Sequence, residues 1–159
     1  MAAPTEATIT KTSESVWRLE TQVITNQTAN TATIVKGLHP PEWAAYATFY
    51  LHITSMGGTS PLLDFKLEAL DPTNPQTAAA APLGSWDGIT QKTAGTDSLT
   101  TIDVGPALTV DDTGSATASD NYKVDAPLPS QIQYTITTDG TTDDEDYTFN
   151  LSVEWHRHP

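Results

Sequence analysis

The sequence predicts an all-β fold: a two-sheet antiparallel β-sandwich, of jelly-roll or immunoglobulin-like type, with an N-terminal arm and two long loops. Three observations carry this. Apolar residues alternate with polar ones in several short runs, the period of a strand with one face on a core and one in water. Threonine, β-branched and stiff at χ1, is the commonest residue, and no window holds a helical stripe. Turn-forming dipeptides punctuate the runs.

Taken in order, residues 1–15 read as an arm and residues 16–159 as one sandwich domain. Trp17, Leu19 and Val23 mark a first strand, and Thr33 to Leu38 a second. Pro40-Pro41 breaks the chain before a short turn over 42–46. In Tyr46 to Thr54, Phe49, Leu51 and Ile53 share one face; Tyr50, His52 and Thr54 share the other. After Gly57-Gly58, Leu63, Phe65 and Leu67 alternate with Asp64, Lys66 and Glu68. Asp71 to Trp86, with three prolines and an alanine run, reads as a long ordered loop. Leu99 to Val104 and Tyr122 to Val124 read as strands around a second long loop, Gly105 to Asn121. Ile132, Tyr134 and Ile136 alternate with Gln131, Gln133 and Thr135. Beyond Asp139-Gly140, Tyr147, Phe149, Leu151, Val153 and Trp155 form the last apolar row. The set amounts to about eight to ten strands, enough for a sandwich or barrel.

A faint internal repeat links two of these regions. Ile53 to Thr59 followed by Asp64-Phe65-Lys66-Leu67 resembles Ile136 to Thr141 followed by Thr148-Phe149-Asn150-Leu151. Each copy reads as a strand, a Gly-Thr turn and a second strand, which predicts two similar hairpins.

The 159 residues include 7 basic and 20 acidic side chains, a formal net charge of −13. Such a surface repels polyanions and anionic membranes, which argues against nucleic-acid or membrane partners and favours solubility. Cysteine is absent, so no disulfide or thiol chemistry operates. The N-terminus lacks the apolar core of a signal peptide, and no apolar run approaches the ~18 residues of a membrane helix.

Chemistry-bearing residues are few. Asp139, Asp143, Asp144, Glu145 and Asp146 crowd one turn, whose oxygens could hold calcium through Asp139, Asp143 and Glu145. Like charges in an exposed turn also serve solubility alone, and the spacing is not that of an EF-hand. His156 and His158 form a His-x-His pair without an evident third ligand. No nucleophile elbow, phosphate-binding glycine loop or His-Glu-x-x-His is present, so neither enzymatic activity nor a cofactor is expected. Of the four tryptophans, Trp17 and Trp155 fall in phase with apolar neighbours. Trp43 and Trp86 lie in predicted loops, where they are candidates to anchor a partner, as interface aromatics do. Ile9 in the arm is a third candidate, suited to adding a strand to a neighbouring sheet edge.

Read together, Gly58-Thr59-Ser60-Pro61, Asp64-Phe65-Lys66-Leu67, Leu128-Pro129-Ser130, Ile132 to Thr138, Gly140-Thr141 and Phe149-Asn150-Leu151-Ser152-Val153 resemble a family of small structural proteins of tailed bacteriophages. The likeness runs from about Tyr46 to Trp155, and the order of the motifs is more specific than any one of them. It departs at the acidic turn, where the family repeats Ser-Pro, and in the first ~40 residues. The resemblance implies a virion protein made in the host cytoplasm, foremost a capsid decoration (cement) protein on the capsid surface. That protein would bind the major capsid protein and itself, as a homodimer or homotrimer. The alternatives are a tail or neck component, a receptor-binding component, or a carbohydrate- or calcium-binding sandwich module.

Overall fold

The computed structural model describes residues 10–24, 32–58, 62–70, 81–86, 98–106, 121–125, 127–139 and 146–157. Ten strands lie among them: β1 (Thr10–Lys11), β2 (Val16–Ile24), β3 (Ala32–Leu38), β4 (Tyr46–Gly57), β5 (Leu62–Ala69), β6 (Ala81–Trp86), β7 (Ser98–Gly105), β8 (Asn121–Asp125), β9 (Ile132–Asp139) and β10 (Asp146–His156). They form a six-stranded sheet in the order β1-β2-β10-β4-β7-β8 and a four-stranded sheet in the order β3-β9-β5-β6.

The pairings decide which kind of sandwich this is. β5 pairs with β6, β4 with β7, β3 with β9 and β2 with β10, all antiparallel. The chain is thus a long two-stranded ribbon, closed between β5 and β6. Its successive pairs fall alternately in the two sheets, which is the wrapping of a jelly roll. β8 lies outside this scheme and joins the edge parallel to β7.

Alternation fixes the inner faces as the sequence indicated. Phe49, Leu51 and Ile53 of β4, Phe65 of β5, Ile136 of β9, and Phe149, Leu151 and Val153 of β10 are all buried in one cluster. Each such side chain contributes about 1.5–3 kcal/mol on leaving water. Strict alternation would bury Ser55 and expose Met56, but the reverse occurs. Thr54 is an extra residue opposite β10, between the pairs Ile53–Phe149 and Ser55–Thr148. Its hydroxyl donates to the Thr148 carbonyl at 3.1 Å, satisfying an acceptor beside the bulge.

Three sequence expectations change. First, the stretch read as a loop from Asp71 to Trp86 ends in strand β6. Pro82 and Gly84 erase its alternation, yet proline is tolerated because β6 is an edge, shifted in register against β5 at Leu67/Glu68. Second, the repeated units are not hairpins. β4 and β5 lie in different sheets, as do β9 and β10, so each unit is an arch from one sheet to the other. The arches interlock: Ile53 pairs with Phe149 in one sheet, and their counterparts Ile136 and Phe65 pair in the other. The first arch leaves β4 at Gly58, whose φ of 105° lies in the region that only glycine enters without strain. Third, the segment read as an arm, residues 1–15, contributes strand β1. Thr10 and Lys11 pair with Arg18 and Trp17, and the Thr12 and Ser13 amides both donate to the Val16 carbonyl. Of the second predicted loop, Gly105 closes β7 and Asn121 opens β8; residues 107–120 lie outside the described residues.

Candidate binding surface

The connection from β3 to β4 carries Trp43. The Ala44 amide donates to the Pro41 carbonyl at 2.9 Å, closing a turn, and the Ala45 amide donates to the His156 carbonyl at 2.8 Å, tying that turn to the end of β10. Proline at 40 and 41 stiffens the approach. Trp43 remains 36% exposed, and the Arg157 guanidinium carbon stands 5.1 Å from its ring centroid. A cation over an exposed indole face is worth about 0.5–1 kcal/mol and holds the ring in one orientation. Arg157, Glu42 and His39 are also exposed.

Beneath this surface the end of the sandwich is closed by aromatics. Trp155 is buried and meets Trp17 and Phe49 edge to face, with ring centroids 6.4 and 6.1 Å away. Its amide donates to the Ser15 carbonyl at 2.7 Å. The Trp155 Nε1–H is buried without a hydrogen-bond partner among the described residues. Trp17 and Trp155 are therefore packing residues, and Trp43 is the exposed one among the described tryptophan side chains.

The other candidates separate. Trp86 ends β6 opposite Phe65, and Asp139 ends β9 opposite Leu62, so by register both lie toward the end of the sheets away from Trp43. The side chains of both, and all of Ile9, Asp143, Glu145 and His158, lie outside what is described. No cluster of metal-ligating side chains occurs among the described residues.

A second feature was not singled out from the sequence. On the outer face of the six-stranded sheet, β7, β4 and β10 align Asp103, Thr48 and Glu154 in one row. The Thr48 hydroxyl donates to Asp103 Oδ1 at 2.7 Å, and His156 Nε2 lies 3.3 Å from the Thr48 Oγ1. Because that hydroxyl hydrogen is committed to Asp103, His156 Nε2 acts as the donor. The Tyr50 hydroxyl donates to Glu154 Oε2 at 3.1 Å. Burial, then the Glu154 carboxylate, pushes the Tyr50 phenol above its ordinary value. Beside this row the Tyr46 ring lies over Gly105. A methyl group there would overlap Cδ1 and stand 2.7 Å from Cε1, so β7 carries glycine where the ring crosses it. Arg18 adds a hydrogen bond to Asn150 Oδ1 further along the face. Alternation alone reveals that Tyr46, Thr48, Tyr50 and His52 point outward; it does not reveal the partners, which come from strands more than 50 residues away.

No family model matches the sequence, and no curated protein matches it. Among solved structures, the chain is similar to the structure of infectious bursal disease virus Gx strain, at 13% identity and a TM-score of 0.39. That alignment covers 89% of this chain and 32% of the other.

Proposed function

We propose that the chain is a structural protein of a tailed-phage particle, acting as a decoration protein that binds the major capsid protein. The observation that carries this reading is the Trp43–Arg157 pair. Tryptophan and arginine are the residue types most enriched at interface hot spots. Here both sit exposed in one patch, on a turn fixed to the end of β10. A side chain already held in place loses little entropy when a partner covers it.

The motif order supports the same reading. The segments that resemble phage structural proteins fall on β5, β9 and β10, three of the four strands that centre the two sheets, and on the connections beside them. The likeness therefore follows the frame of the sandwich rather than one loop. A protein that binds only the assembled shell stabilises it by mass action, and an acidic chain stays clear of the packaged DNA.

Gradient-purified particles from a producing host provide the test. The reading expects the chain to co-sediment with particles, in a copy number that follows the capsid lattice. Trp43→Ala is expected to lower occupancy at least about tenfold, the scale of 1.4 kcal/mol, while the sandwich still folds. A copy number matching the tail would move the protein to the tail. Absence from particles, or full occupancy by the variant, would overturn the assignment to Trp43.

A further inference from the structure

We infer that the outer face of the six-stranded sheet, around Tyr46, binds a neutral oligosaccharide. This site is distinct from the Trp43 surface and independent of the proposed virion role.

The inference starts from Gly105. The absence of a side chain there lets the Tyr46 ring settle over β7, and the ring is only half buried. An aromatic surface of this kind suits the apolar C–H face of a pyranose. Hydroxyl partners stand next to it. Tyr46 and His156 are paired in register, and Asp103, Thr48 and Glu154 form the adjacent row. Strands about 4.8 Å apart make that row about 10 Å long, the scale of one or two sugar rings.

The polar groups are fixed before any ligand arrives. Thr48 ties Asp103 to His156, and Tyr50 holds Glu154. Each carboxylate uses one oxygen in these bonds. Two carboxylate acceptors and an imidazole match the donors and acceptors of vicinal hydroxyls. Because the groups hold each other in place, little ordering entropy opposes binding.

Charge selects the ligand class. A chain with a net charge of −13 and two carboxylates in the row repels phosphorylated, sulfated or uronic sugars. Neutral hexose or N-acetylhexosamine chains remain.

The test is an amide-resolved NMR titration of the full chain with cellohexaose, maltohexaose and chitohexaose, with a polygalacturonate oligomer as anionic control. At least one neutral chain is expected to shift Tyr46, Thr48, Asp103, Gly105 and His156, with a Kd of about 1 mM or tighter. Asp103→Asn and Glu154→Gln preserve shape, and each is expected to weaken binding at least about tenfold with the unfolding midpoint retained. Tyr46→Leu removes the platform and is expected to abolish the shifts. Three outcomes would overturn the inference: no shifts with any neutral chain, unchanged affinity in both carboxylate variants, or tightest binding by the anionic control. Particles are not needed, so failure here leaves the capsid reading intact, and the reverse also holds.

Discussion

Replacing Gly105 by alanine isolates one packing contact that joins two distant strands. The Gly105 backbone does not occupy the left-handed region, so alanine fits there without backbone strain, and its three nearest contacts are all atoms of the Tyr46 ring. The new methyl would overlap Cδ1 and stand 2.7 Å from Cε1, where ordinary contact begins at 3.4 Å. Overpacking of this kind costs about 1–3 kcal/mol. Alanine recovers roughly 0.5–1 kcal/mol over glycine within a strand, because less backbone entropy is lost on folding. The net loss is about 0–2.5 kcal/mol, or up to roughly 10 °C in Tm for a chain of this size. The assay is urea unfolding of Gly105→Ala with and without Tyr46→Ala. In the Tyr46→Ala background the alanine is expected to be neutral or stabilising, giving a coupling of about 1–3 kcal/mol. Equal losses in both backgrounds, or none in either, would refute the claim that the ring dictates glycine at 105.

Two further predictions concern the core and the polar face. Ile53→Ala and Ile136→Ala occupy equivalent places in the interlocked arches. Each is expected to cost about 2–5 kcal/mol in urea melts, whereas a two-hairpin fold with one of these residues at its margin would show one small loss. The Tyr50 phenol is raised above 10.0 by burial and by Glu154, so folding favours the neutral form. Its contribution is complete below the ordinary phenol value and is lost as pH rises through the folded value. Tyr50→Phe is therefore expected to flatten the decline of the urea midpoint above about pH 10; an unchanged alkaline slope would remove Tyr50 as its source.

The two candidate surfaces differ in how far the chain announces them. Trp43 is visible in sequence because an aromatic after Pro-Pro-Glu has no apolar row to join. The patch around Tyr46 is not, because its members look like ordinary solvent-face residues until β7, β4 and β10 are set side by side. The acidic turn was the most conspicuous cluster in the sequence. Of its candidate calcium ligands only the Asp139 backbone lies among the described residues.

What the sequence determined by itself is which side of each strand faces inward. Period-two alternation is a local property, written into residues two apart, and it placed Phe49, Leu51, Ile53, Phe65, Ile136, Phe149, Leu151 and Val153 in one core. Only the tertiary structure decided which strands are neighbours. A strand, a Gly-Thr turn and a strand can make either a hairpin or an arch, since the same residues satisfy both turns. The outcome depends on whether β4 finds a better edge in β10 and β7 than in β5. β6 exists for the same reason: with Pro82 and Gly84 it carries little strand signal of its own, and β5 supplies the hydrogen bonds that make it one. The phase shift that turns Met56 inward comes from Thr54 meeting the Thr148 carbonyl. Local chemistry sets the faces of the strands; hydrogen-bond partners from distant parts of the chain set their order.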